Sequence, residues 1–202
     1  MFSWIIIIDA QCGSTHFCDI NTWHNMKTFS IPSPEEVSPA SRKVFDHLKE
    51  IIGFVPNLYA TMAYSENGLA RYWTYQNAKT SLNRREKEAI NLVVSQISSC
   101  SYCLSMHTAI GKMNGFSDEE ILKIRNGEAS DSKMNALIVL AKSITTHKGH
   151  VPSDTLEAFF NEGYDKGHLV DVILQISDKI TSNYLYNLTH VPLDFPLDRD
   201  LD

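Results

Sequence analysis

The chain has 202 residues, 43% hydrophobic and 21% charged, enough apolar side chains for one domain or a closely packed pair. Its 24 acidic residues against 18 basic ones give a net charge of -6 with no Lys/Arg block, which excludes the electrostatic footprint of a nucleic-acid binder. The apolar run Phe2 to Ile8 is too short to span a bilayer and lacks the basic flank and cleavage site of a signal peptide, so no membrane partner and a reducing, cytoplasmic setting are expected.

Residues 1–25 have neither helical periodicity nor strand alternation, and the expected boundary is Met26. The upstream segment reads as a gene-boundary error or a disordered extension. The alternative is that Ile5 to Ile8 forms an edge strand or a packing arm. Residues 26–202 then form one all-helical domain. Ser38-Pro39, a cap followed by a first-turn proline, opens a helix carrying Val44, Phe45, Leu48, Ile51 and Ile52, and Gly53 ends it. Pro56-Asn57-Leu58 starts a short second helix, and the Gly68 region leads into a third through Leu69, Tyr72, Trp73 and Tyr75. Asn83 and Glu86 have capping-box spacing, and Ala89, Ile90, Val93, Val94 and Ile97 define a buried face beyond them.

Ser98 or Ser99 is the expected cap of the next helix, which runs through Cys100 and Cys103 to a left-handed stop at Asn114-Gly115. Ser117 with Asp118, Glu119 and Glu120 caps a short helix ending at Asn126-Gly127, and Ser153-Asp154 caps another ending at Gly163. Each precedes a longer apolar helix, a pattern that a duplicated helical hairpin would produce. With no strand signal after Met26, the fold class is all-α.

Four cysteines, Cys12, Cys18, Cys100 and Cys103, are too few for a disulfide framework, and close spacing in a reducing setting points to catalysis or metal binding. On a helix, Cys100, Cys103 and His107 share one stripe. A helix N-terminus favours the thiolate, and a histidine one turn past Cys103 can accept or relay its proton. The helix start alone favours Cys100 as nucleophile, whereas proximity to His107 favours Cys103. The plainer alternative, two small core thiols and a satisfied histidine, is less economical because all three residues are in phase. A zinc site would use the same three residues but lacks a fourth ligand unless Cys12 or Cys18 folds back, so neither metal nor cofactor is expected. Glu86 has its capping task. Glu88 lies at the edge of the apolar face, where a partly buried carboxylate could exchange a proton through His107 or water, although periodicity alone favours a solvated flank residue.

Glu88, Cys100 twelve positions on, Cys103 and His107 together resemble the alkylhydroperoxidase D-like (AhpD-like) branch of the carboxymuconolactone decarboxylase family. GFVPNLYATMAYS at Gly53 to Ser65, EAINLVVSQISSCSYCLSMHTAIGKMNG at Glu88 to Gly115, and NYLYNLTHVPLDFP at Asn183 to Pro196 are similar to its peroxidase-related subgroup, so the resemblance covers about residues 27–197. It implies an all-helical fold, homo-oligomers that are commonly trimers or hexamers, and peroxide reduction by a dithiol without heme or metal. By that pattern Cys103 is the attacking cysteine, Cys100 the resolving one, and Glu88 and His107 the proton relay. Tyr102 stands where hydroperoxidases of the family often have a histidine, a departure that bears on the peroxidase rate. The implied partners are a hydroperoxide and an external thiol or lipoyl-type reductant. The rival readings are general thiol–disulfide exchange and a redox-sensing oligomer that does not turn over. Lactone decarboxylation would leave the cysteine pair without a part.

Overall fold

The computed structural model describes residues 29–194. The expected boundary at Met26, the arm at Ile5 to Ile8, and Cys12 and Cys18 lie outside the described residues. Those described form nine helices and no strand: α1 Pro39–Ile52, α2 Asn57–Met62, α3 Gly68–Gln76, α4 Arg84–Ile97, α5 Ser101–Met113, α6 Asp118–Asn126, α7 Ser132–His147, α8 Ser153–Asn161 and α9 Lys166–Thr189. Among the described residues, no helix is long and apolar enough to cross a membrane.

Capping chemistry sets most of the boundaries. Ser38 accepts the Ser41 N–H at 3.2 Å, with Pro39 in the first turn, and Gly53 closes α1 at φ +92°, a conformation that glycine adopts without a Cβ clash. Capping boxes open α4 at Asn83/Glu86 and α6 at Ser117/Glu120. The entry to α8 differs from expectation. Ser153 is already helical, the capping position is Pro152 with no side-chain bond, and Asp154 turns its carboxylate to the next backbone N–H, that of Thr155.

The centre of the fold is α4, which packs against α5, α6, α7 and α9. Every residue from Glu88 to Ser95 is buried, so this helix has no solvent face there and the single apolar stripe read from its sequence understates its enclosure. Ile90, Leu92, Val93 and Val94 meet Ile124, Leu137, Leu140, Phe159 and Val172 in the main core. Each such aliphatic side chain contributes about 1.5–3 kcal/mol on burial. A second core joins α1, α2 and α3 through Phe45, Leu48, Ala60 and Leu69. A third, small cluster of Leu58, Cys100, Tyr102, Cys103 and Val191 forms where α2, the start of α5 and the segment after α9 converge.

Candidate active site

The junction between α4 and α5 sets the dithiol geometry. α4 runs to Ile97 with Ser98 as its own C-cap, and Ser99 then takes the left-handed conformation at φ +52°. Cys100 is therefore the first extended residue, and it, rather than Ser98 or Ser99, is the N-cap of α5. Its Sγ accepts the backbone N–H of Cys103 at 3.3 Å. Cys103 sits in the first helical turn. Both thiols are free and fully buried.

The two thiols are pushed in opposite directions. A hydrogen bond from Cys100, the Lys179 charge and the Ser182 hydroxyl together hold Cys103 below an ordinary thiol, against burial and the Asp178 carboxylate. Donation to Cys103, then burial, raise Cys100. Of the two, Cys103 is therefore the thiol that ionises more readily and Cys100 the one that holds its proton more tightly.

His107 and Glu88 are brought together as expected from their spacing, but far deeper than a flank position allows. Glu88 is 4% exposed and His107 likewise 4%. Nδ1 of His107 lies 2.6 Å from Oε1 of Glu88, and Nε2 lies 2.6 Å from Nζ of Lys179. Burial, opposed by Glu88 and reinforced by Lys179, keeps the imidazole below its usual pKa. It is therefore neutral, donating through Nδ1 and accepting at Nε2. Both ring nitrogens are occupied, Nδ1 by Glu88 and Nε2 by Lys179, so the partner of Nε2 is Lys179 and not the Cys103 thiol that the sequence suggested.

Further links extend from Glu88. Asn91 donates to its Oε2 at 3.3 Å, and Gln175 Nε2 donates both to Asn91 Oδ1 at 2.8 Å and to Asp178 Oδ2 at 3.4 Å. Asp178 is buried, and its Oδ1 has no hydrogen-bond partner among the described residues. Three helices thus supply one network: Glu88 and Asn91 from α4, His107 from α5, and Gln175, Asp178 and Lys179 from α9. Sequence reasoning missed the α9 members. Their signal was a run of polar residues, Gln175, Asp178, Lys179, Ser182 and Asn183, at helical spacing inside an apolar helix.

A narrow pocket borders Lys179 and Ser182 and is walled by Tyr59, Tyr72, Tyr102 and Met106, with free space for about one water molecule. Tyr102 is almost fully buried, and its hydroxyl donates to Asp194 Oδ2 at 2.6 Å, which also accepts the Asn57 N–H. Among the described residues, no group of three or more His, Cys, Asp or Glu side chains could hold a metal ion.

Comparison with known proteins agrees with this architecture. Residues 64–145, which include Glu88, both cysteines and His107, match the model of the carboxymuconolactone decarboxylase family. An uncharacterized protein, YdfG, of Bacillus subtilis (strain 168) is 28% identical over 102 residues, 49% of this chain and 69% of that one. Among solved structures, an alkylhydroperoxidase AhpD core, an uncharacterized peroxidase-related protein from Ralstonia eutropha JMP134, superposes with a TM-score of 0.72 at 18% identity, covering 86% of this chain and 93% of that one. An uncharacterized peroxidase-related protein from Silicibacter sp. TM1040 gives 0.71 at 18% identity with the same coverage. The debrominase Bmp8 gives 0.63 at 16% identity over 81% of this chain and 88% of its own. Residues 64–145, across the dithiol helices, are thus similar to the carboxymuconolactone decarboxylase family, and the all-helical architecture is the AhpD-like fold.

Proposed function

We propose that the protein is a thiol-dependent peroxidase in which Cys103 is the nucleophile. The observation that carries this reading is the asymmetric thiol pair. The hydrogen bond from Cys100 and the Lys179 charge push Cys103 toward its thiolate, while the same bond and burial push Cys100 the other way. The Cys103 thiolate attacks the distal oxygen of a hydroperoxide, the O–O bond breaks, and protonation of the departing oxygen releases an alcohol or water. Cys103 is now a sulfenic acid. Cys100 then attacks the Cys103 sulfur, the S–O bond breaks, and water leaves with one more proton. The hydroperoxide has gained two electrons and the thiol pair has lost them. An external dithiol, such as a lipoyl group, returns the electrons and restores both thiols.

Glu88 and His107 act as the proton-relay side of the site, and no metal or heme takes part in this reading. The pocket beside Lys179 and Ser182, with room for about one water molecule, favours hydrogen peroxide as the oxidant that reaches the buried thiols. Self-association fits the outward face of α9, which exposes Val170, Ile173, Leu174, Tyr184 and Leu188. Homo-trimers or hexamers are the expected assemblies, testable by light scattering.

The test is to add one equivalent of peroxide to the reduced protein and follow thiol content and peroxide together. Loss of the Cys100 and Cys103 thiols with matching peroxide consumption, recovery by a dithiol, and repeated turnover are expected. Turnover on a disulfide substrate without peroxide consumption would assign the protein to general thiol–disulfide exchange. One oxidation without repeated turnover would make it a redox sensor.

A further inference from the structure

Lys179 is 1% exposed, among the largest fully buried side chains of the described chain, and lies on α9, outside the residues 64–145 that match the family model. A buried lysine is costly unless ionic partners hold it. A merely structural ion pair would set Nζ directly on a carboxylate. Here Nζ is instead 2.6 Å from the bare Nε2 of neutral His107, and Glu88 is one imidazole away. The ammonium has three N–H bonds and His107 takes one, while the same residue borders the pocket with Tyr102, Met106 and Ser182. Among the described residues that line the pocket, Lys179 is the cation, so a proton donor is placed at its wall.

We propose that Lys179 is a catalytic acid–base residue of this site, the countercharge to the Cys103 thiolate and the donor of the proton taken up by the oxygen that leaves the peroxide. The inference rests on the peroxidase reading above. Thiolate, Cys100 thiol, Lys179 ammonium and hydroperoxide become disulfide, Lys179 amine, alcohol and water, with two protons and two electrons passing to the peroxide. The ammonium supplies one proton and the Cys100 thiol the other. When an external dithiol reduces the disulfide, its two protons restore the Cys100 thiol and the Lys179 ammonium, leaving Cys103 as thiolate. His107, held by Glu88, accepts from Nζ and so joins Lys179 to the Glu88–His107 relay.

The charged and titratable groups around Cys103 are Glu88 on α4, Cys100 and His107 on α5, Asp178 and Lys179 on α9, and the protonated Tyr59 and Tyr72 on α2 and α3. Of these Lys179 alone carries positive charge, so removing it leaves a thiolate among carboxylates.

The test uses the full chain with Lys179→Met. The pH midpoint of Cys103 alkylation by iodoacetamide, read on its own peptide by mass spectrometry, needs no peroxide and is expected to rise by about one pH unit or more. Single-turnover oxidation by hydrogen peroxide, compared at a pH above both midpoints, is expected to remain slower by about 100-fold or more, the part due to proton donation. In Lys179→Ala, ethylamine should restore part of that rate, a readout that a purely structural lysine would not move. Lys179→Arg, which keeps the charge but holds its protons, covers the case in which the neutral variants do not fold: it should keep the low midpoint and lose the rate. A folded Lys179→Met with unchanged midpoint and rate, or Lys179→Arg oxidised as fast as wild type, overturns the assignment. Failure of the peroxidase reading looks different: wild type would then not be oxidised by peroxide at all, whatever its alkylation midpoint.

Discussion

Glu88→Gln tests the network at the point where α4 hands it to α5. The glutamine keeps the shape of the side chain, but one oxygen becomes an NH2 group. If that group faces Asn91, two donors meet where a 3.3 Å bond existed; turning the Asn91 amide moves the clash to its 2.8 Å bond with Gln175, and turning Gln175 sets its oxygen against Asp178. If it faces His107 instead, the imidazole must carry its proton on Nε2, 2.6 Å from the Lys179 ammonium. Every assignment ends on a mismatch among buried groups. One such mismatch costs about 1–3 kcal/mol. Taking about 2 kcal/mol, and about 2–4 °C per kcal/mol for a chain of this size, the melting temperature should fall by about 4–8 °C. Calorimetry measures this, and stopped-flow oxidation by peroxide on the same sample should be slowed, because Lys179 loses a well-placed acceptor. A melting temperature within about 1 °C of wild type, with an unchanged oxidation rate, would refute the reasoning.

Glu86→Gln is the matched control: Glu86 accepts from Asn83 N–H and from the Tyr164 hydroxyl, so the change should lower thermal stability and leave the oxidation rate unaltered. A slowed rate would show that the two acids are coupled. The folded chain holds His107 neutral below the usual imidazole pKa of about 6.5, at which the unfolded chain takes up its proton, so the unfolded state binds more protons and stability falls as pH drops through that window. The slope from this residue is at most about 1.4 kcal/mol per pH unit, and urea titrations should show it flattened in His107→Gln. Acidification that stabilises the wild type relative to that variant would contradict the neutral imidazole. Tyr102→Phe keeps the buried ring but removes the 2.6 Å bond to Asp194, at a cost of about 1 kcal/mol. Faster hydrogen exchange over residues 191–194 should accompany it, and unaltered exchange would show that the hydroxyl does not tether that segment.

Helix boundaries were legible wherever a cap and its partner lie within one turn, as at Ser38, Asn83 and Ser117. The cap of α5 was misread for a local reason: two serines in a row offer the right chemistry, but Ser98 closes α4 and Ser99 is spent on a left-handed reversal, which leaves the role to a cysteine. Cys100, Cys103, His107 and Glu88 were visible because all lie within twenty residues on two consecutive helices. Apart from Asn91, the remainder of the network comes from α9, where Lys179 stands 72 residues beyond His107. That helix is partly inverted with respect to ordinary amphipathicity. Lys179, Asp178 and Gln175 point inward, whereas Val170, Leu174, Tyr184 and Leu188 are exposed, so a rule that turns charge to solvent sends its lysine the wrong way. Glu88 was undervalued by the same rule, since its neighbours on α4 showed an apolar stripe and not the enclosure on every side that packing creates.

The central claim is that Cys103 attacks the peroxide and Cys100 resolves the product. Mass spectrometry of Cys100→Ser and Cys103→Ser after peroxide in the presence of dimedone tests it most directly. The account predicts a dimedone adduct on Cys103 in Cys100→Ser, because the nucleophile survives without its partner, and almost no reaction in Cys103→Ser. An adduct on Cys100 in Cys103→Ser, formed at a comparable rate, would contradict it.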